Sequence, residues 1–186
     1  GVLGMIAVML LKNAGAVPVI AVDPVEDKRK KAIEIGADYA LDPFADDFAQ
    51  RVIELTGFGT NVAIEVTGNG KALDQVLDCM ARYGRVALLG CTRNSDFTID
   101  YYKKVHAPGI SLVGAHTDAR PLVESSPRLW TTRDDVNALQ KLALYNRLKL
   151  SSLVEETHSP SETKAVYDRL ATEKSFPVVQ FDWRKI

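Results

Sequence analysis

Two glycines, Gly1 and Gly4, open the chain, and an acid, Asp23, closes the apolar run Val17-Pro18-Val19-Ile20-Ala21-Val22 that follows them. These residue types at this spacing suit a ligand that carries phosphates and a ribose. Backbone without a Cβ can come close to a pyrophosphate, and a helix N-terminus offers it unpaired N–H groups and a positive dipole end. A carboxylate at the end of the next strand can accept both hydroxyls of an adenosine ribose. Gly1 and Gly4 match the last two glycines of the dinucleotide fingerprint G-x-G-x-x-G, which places an acid about 20 residues further on. The first glycine and its strand would precede residue 1, so we expect a piece of a longer protein. A lone G-x-x-G also starts ordinary helices, so the weight falls on the rest of the chain.

Asp23 has two readings that do not exclude each other. Asp23-Pro24-Val25-Glu26 is a good helix start, with an acid as N-cap, Pro at N1 and Glu at N3. As a ribose ligand, Asp23 would repel a 2′-phosphate, which favours NAD over NADP. Lys28-Arg29-Lys30-Lys31 lies on the next helix. From Arg29 to Lys31 we read a solvated face, with Arg29 the one residue able to serve a 2′-phosphate instead.

The elements that must position these groups can be read from periodicity. Val2 to about Asn13 reads as a helix, apolar on nearly every face and therefore buried on more than one side, with Gly15 as its stop. Val17–Val22, Val62–Gly68, Gly84–Gly90 and Ile110–Gly114 are apolar strand runs, and Tyr39–Leu41 is a short one. Helices about Asp46–Leu55 and Lys71–Arg82 alternate with them, with Phe48, Val52 and Leu55 on one face and Leu73, Val76, Leu77 and Met80 on the other's inner face. Strands apolar on both faces that alternate with helices predict an α/β, doubly wound parallel sheet of Rossmann type. Ligands of such sheets sit beyond the carboxyl ends of the strands. Asp23, Thr67-Gly68 and Gly90-Cys91 all fall at such ends.

After about Ala115 the composition changes. His116–Arg133 is polar and reads as a long loop, a helix runs from Thr132 to about Arg147, and Ser159-Pro160-Ser161-Glu162 is a capping box for a last helix to about Glu173. Pro177–Trp183 reads as a final strand. This tail shows no strand–helix rhythm and is read as α+β, part of another domain. We divide the chain into an incomplete dinucleotide-binding domain, 1–120, and a return segment, 121–186.

Composition excludes several classes. With 23 Lys plus Arg against 24 Asp plus Glu, the net charge of −1 makes no electrostatic case for nucleic acid or an anionic membrane. The longest uncharged apolar run falls short of the roughly 20 residues of a membrane span. It also lacks the basic flank of a signal peptide. Cys79 and Cys91 form neither a metal-ligand spacing nor a disulfide framework, and Cys79 reads as a core residue. A reducing, cytoplasmic setting is the default.

Ile64-Glu65-Val66-Thr67-Gly68, Gly84-Arg85-Val86-Ala87-Leu88-Leu89-Gly90, Ile35-Gly36-Ala37-Asp38-Tyr39 and the Gly1–Asp23 unit stand in an order and spacing that resemble the medium-chain, zinc-type alcohol dehydrogenase family. The resemblance covers the cofactor-domain half and extends through the tail. It implies backbone N–H groups of Gly1, Val2 and Leu3 on the pyrophosphate, with Gly4 packing the helix to the sheet. It implies Asp23 on the adenosine ribose with Lys28 as cationic neighbour, Val66 and Thr67 along the adenosine side, and Leu89, Gly90 and Cys91 near the nicotinamide. It also implies hydride transfer with an alcohol or carbonyl compound, and homo-oligomers paired through the last strand, Ile110–Val113. The family's zinc ligands precede the fingerprint. Zinc is therefore expected only in a missing domain, and this fragment alone is expected to be inactive. His106, His116 and His158 stand on separate elements and are not read as ligands.

Two other classes compete: an NAD-binding sensor without chemistry, and an S-adenosylmethionine-dependent methyltransferase. The first needs no family-like tail, and the second would close its sheet with an antiparallel hairpin. A short-chain dehydrogenase needs Tyr-x-x-x-Lys, which Tyr101-Tyr102-Lys103-Lys104 does not supply. In the sheet order 3-2-1-4-5-6 the missing strand would lie between Val17–Val22 and Val62–Val66, so the sheet is expected to be split there or closed by other polypeptide. The substrate is not legible. Trp130 and Tyr145 are read as bordering a substrate, a subunit contact or the core.

Overall fold

The structure, a computed structural model, describes residues 1–90, 96–173 and 175–186. Helix α1 (Val2–Asn13) shows why an all-round apolar helix is stable here. Met5 and Met9 pack with Leu148 and Leu153 of the tail, while Val8 packs with Val19, Ala32 and Ala37. The helix is a shared wall between two small cores, as its sequence predicts.

Strand β1 (Ile20–Val22), helix α2 (Glu26–Glu34) and strand β2 (Tyr39–Leu41) form a parallel β–α–β unit, with Ala21 opposite Ala40. Helix α3 (Phe48–Thr56) ends at Gly57, whose φ of 83° only glycine adopts readily. Strand β3 (Thr60–Glu65), helix α4 (Gly70–Asp78), strand β4 (Met80–Leu88) and strand β5 (Ser111–Gly114) make a second parallel sheet in the order β3-β4-β5. Leu77, Val86, Val105 and Ile110 form its core.

The sheet is split where the sequence predicts. Among the described residues no strand pairing joins β1 to β3. The open edges explain an exposure that apolar runs alone do not suggest: Val22 is 45% and Val62 54% exposed. The gap is shorter on one side than expected, because β1 holds only three residues. Before it, Val19 is tied to Asp38, whose Oδ2 accepts its N–H at 2.7 Å.

Several boundaries move for local reasons. Helix α4 stops at Asp78 instead of Arg82, because the Cys79 carbonyl accepts the Thr60 N–H at 2.8 Å and draws Met80 onto the strand beside β3. Tyr83, at φ 62°, then lets the strand irregularity pass before the register resumes with Val62 opposite Arg85. Helix α5 (Thr132–Leu144) ends short of Arg147, with Asn146 at φ 57°. The tail, in which the sequence shows no strand–helix rhythm, contains one. Strand β6 (Glu156–His158) pairs in parallel with β7 (Val179–Phe181), and helix α6 (Thr163–Leu170) connects them behind the predicted capping box. A three-residue strand such as Glu156-Thr157-His158, with no apolar side chain, leaves no periodic signal. No helix among the described residues is long and apolar enough to cross a membrane.

Candidate cofactor site

The tip of α1 sits at the carboxyl edge of both half-sheets. On one side, the backbone nitrogen of Gly1 lies 3.6 Å from Asp23 Oδ2. On the other, a Cβ placed at Gly4 would stand 3.7 Å from a methyl of Val66. The first-turn N–H groups of Val2, Leu3 and Gly4 have no intrahelical acceptor by geometry, and that turn carries no acid. An anion placed there meets amide hydrogens and the positive end of the helix dipole.

The glycines differ in what they do. Nothing lies within 4 Å of a Cβ at Gly1, so its bare backbone faces open space that a ligand can enter. At Gly4 the 3.7 Å separation is ordinary van der Waals contact. Close helix–sheet packing is therefore not what demands glycine there, contrary to the reading from the fingerprint.

Asp23 is one-quarter exposed and only partly committed. Its Oδ1 accepts the Val25 N–H at 2.8 Å and closes an Asx turn, while Oδ2 faces the α1 tip. The N-cap of α2 is Val25, so the predicted capping role of Asp23 is replaced by this turn. Arg29 is not a solvated side chain. Its guanidinium donates to the carbonyls of Asp23 and Pro24 at 2.8 and 3.0 Å and stands 3.2 Å from Asp42 Oδ2. Lys28 pairs with Glu155 of the tail at 3.0 Å, with only 14% of its side chain exposed.

Past β3 and β4 the chain forms two adjoining turns. Val66, Thr67 and Gly68 follow β3, and Leu89 and Gly90 follow β4. Both are gathered on Glu65, a 5% exposed acid that sequence reasoning passed over. Its Oε1 accepts the Thr67 N–H at 2.7 Å and the Thr67 hydroxyl, and its Oε2 accepts the Gly68 N–H at 3.0 Å. Its carbonyl accepts the N–H groups of Leu89 and Gly90 at 2.9 and 2.8 Å. A Cβ at Gly90 would stand 2.7 Å from Glu65 Oε2 and closer still to the Gly68 nitrogen, so only glycine fits. The available signal was an acid inside the apolar run Val62-Ala63-Ile64-Glu65-Val66. Cys91, the remaining candidate, lies outside the described residues.

Gly1, Val2, Leu3, Gly4, Asp23, Val66, Thr67, Leu89 and Gly90 thus share one edge, while Lys28 is drawn toward the tail. A family model described as zinc-binding dehydrogenase matches residues 2–126. The chain belongs to the zinc-binding dehydrogenase family. An L-threonine 3-dehydrogenase of Pyrococcus horikoshii is 36% identical over 115 residues, 61% of this chain and 33% of its own length. One from Caldanaerobacter subterraneus is 31% identical over 150 residues, 80% of this chain and 40% of its own. The solved 2R,3R-butanediol dehydrogenase of Bacillus subtilis superposes with a TM-score of 0.80 at 23% identity, over 97% of this chain and 48% of that one, a likeness of fold. The chain thus matches 33% and 40% of the length of these two L-threonine 3-dehydrogenases.

Other chemistry-bearing residues lie apart from the edge. Cys79 is packed with Phe48 and Val52, and burial, helped by the neighbouring Asp78, pushes its thiol up to about 12, so it stays protonated. His106 stacks on Tyr102, His116 lies near Asp118, and His158 sits between Glu156 and Glu162. Trp130 and Tyr145 are 50% and 74% exposed, so neither belongs to the core. Among the described residues no group of three or more His, Cys, Asp and Glu could hold a metal.

Proposed function

We propose that the carboxyl edge binds NAD(H), as the cofactor-binding part of a dehydrogenase that moves hydride between nicotinamide and an alcohol or carbonyl carbon. The observation that carries this reading is the placement of the α1 tip between Asp23 on one half-sheet and the Val66–Gly68 and Leu89–Gly90 turns on the other. An elongated ligand with anions at its centre is what such an edge accommodates. Amides of Gly1, Val2 and Leu3 receive the pyrophosphate. Asp23 Oδ2 takes the ribose diol and disfavours a 2′-phosphate, which selects NAD over NADP. Arg29, turned onto backbone carbonyls and Asp42, is not free to reverse that choice. Val66 and Thr67 line the adenosine side, and Leu89 and Gly90 the nicotinamide side. Lys28 would reach the ribose only by leaving Glu155.

In zinc-dependent members the metal polarises the substrate oxygen as a Lewis acid. In this reading the chain's part is to bind and orient the cofactor. Residues 1–120 form the dinucleotide unit and 121–186 return to the catalytic domain. The substrate is a small alcohol or carbonyl compound and the setting cytoplasmic. Strand β5, exposed along its length with Leu112 38% and Val113 46% accessible, is the edge through which two copies pair. Among the described residues every pairing between named strands is parallel, whereas a methyltransferase-type sheet ends in an antiparallel hairpin.

NADH fluorescence titration of the protein and its Asp23→Ala variant tests the reading. We expect micromolar-range binding by the parent, weakened about tenfold in the variant through loss of charge-assisted hydrogen bonds. Equal affinity would remove Asp23 from the site, and no binding by the parent would remove the site.

A further inference from the structure

Glu65 has no place in the binding roles above, yet its carboxylate and carbonyl accept five hydrogen bonds from described residues at the edge. A buried carboxylate is costly unless its lone pairs are met, and here main-chain and hydroxyl donors of Thr67 and Gly68 meet them. The same residue's carbonyl holds Leu89 and Gly90. One side chain and its own peptide group therefore clamp the turn after β3 to the turn after β4, with Gly90 pressed against the carboxylate where no Cβ fits. Glu65 is 5% exposed, so it does not itself face a ligand.

We infer that Glu65 is a positioning residue, which holds the Val66–Gly68 and Leu89–Gly90 turns at a fixed separation so that the edge is already shaped for a ligand long enough to touch both. The inference rests on the dinucleotide reading and adds to it a discrimination by length. NADH spans from Asp23 to Gly90 and feels the clamp. AMP, which touches Asp23 and only the Val66–Thr67 turn, does not feel the separation between the two turns.

Glu65→Gln keeps the volume but replaces an acceptor with an N–H2 group that points at another donor, either Thr67 or Gly68. We expect NADH affinity to fall at least about fivefold, the loss of one charge-assisted bond, with AMP affinity unchanged within about twofold by the same scale. Unchanged NADH affinity would overturn the inference. So would an equal loss for NADH and AMP, which would mark Glu65 as a general stability residue. A second measurement needs no variant: in the ligand-free protein, the Thr67, Gly68, Leu89 and Gly90 amides should exchange slowly with deuterium. Fast exchange there before NADH is added would also overturn it. Failure of the parent to bind NADH is a separate result, and strikes the dinucleotide reading instead.

Discussion

The two half-sheets solve the same problem by different means. In the β3–β4–β5 half, the carboxyl edge is fixed from inside, by the buried Glu65 and by glycine backbone in contact with it. In the β2–β1 half, the carboxyl edge is held by largely shielded cations on acids from other segments, Arg29 on Asp42 and Lys28 on Glu155, while Lys12 on Asp38 ties the opposite end. The first half has its own core around Val86, which is fully buried. The second shares its core with α1, and α1 leans in turn on Leu148 and Leu153 of the tail. A buried acid met by several donors tolerates little change, whereas partly exposed ion pairs contribute little each. The β3–β4–β5 side of the proposed slot is therefore rigid, and the Asp23 side depends on its neighbours.

Four changes would break or sharpen this contrast. The largest effect is expected from Leu77→Ala, which empties part of the β3–β4–β5 core at a cost of about 2–5 kcal/mol. Urea unfolding would measure it, and a loss below about 1 kcal/mol would mean this half lacks the independent core assigned to it. Gly90→Ala comes next. Its methyl must displace the Gly68 backbone or the Glu65 carboxylate, at about 1–3 kcal/mol, and NADH binding should drop with it. A variant with parental stability and affinity would show that the two turns are not in tight contact.

Lys28→Ala should cost about 1 kcal/mol or less, since the pair with Glu155 is only partly buried. Thermal melts of this variant and of Glu155→Ala should agree, and a double variant should add nothing further. The smallest effect is expected from pH acting on Asp38. The Lys12 ammonium, and then the Val19 N–H, hold its carboxyl below the usual value of 3.8. An acid whose folded-state value is depressed contributes stability that is present above the unfolded value and lost as pH falls through the folded one. The stability gap between the parent and Asp38→Asn should therefore be open at pH 6, narrow below about pH 4, and close at lower pH. A gap independent of pH would mean that Asp38 acts through shape and not through charge.

The sequence by itself determined the α/β class, the bounds of α1, the parallel rhythm, the place of the break in the sheet and the capping box at Ser159. These follow from local periodicity, caps and strand order, which neighbouring residues are enough to specify. It also determined that Gly1–Gly4, Asp23, Thr67 and Gly90 are strand-end or helix-start residues, and so belong on one edge. Tertiary structure alone decided what each does there. Asp23 turns out to close a turn instead of capping a helix, Lys28 is claimed by Glu155 across a long stretch of chain, and Gly4 has room for a methyl while Gly90 has none. Glu65 became visible only once two turns distant in sequence were brought onto its carboxylate and carbonyl. Periodicity records which face of an element is apolar; it carries no record of which donors arrive from other elements, and that arrival gives a buried acid its role.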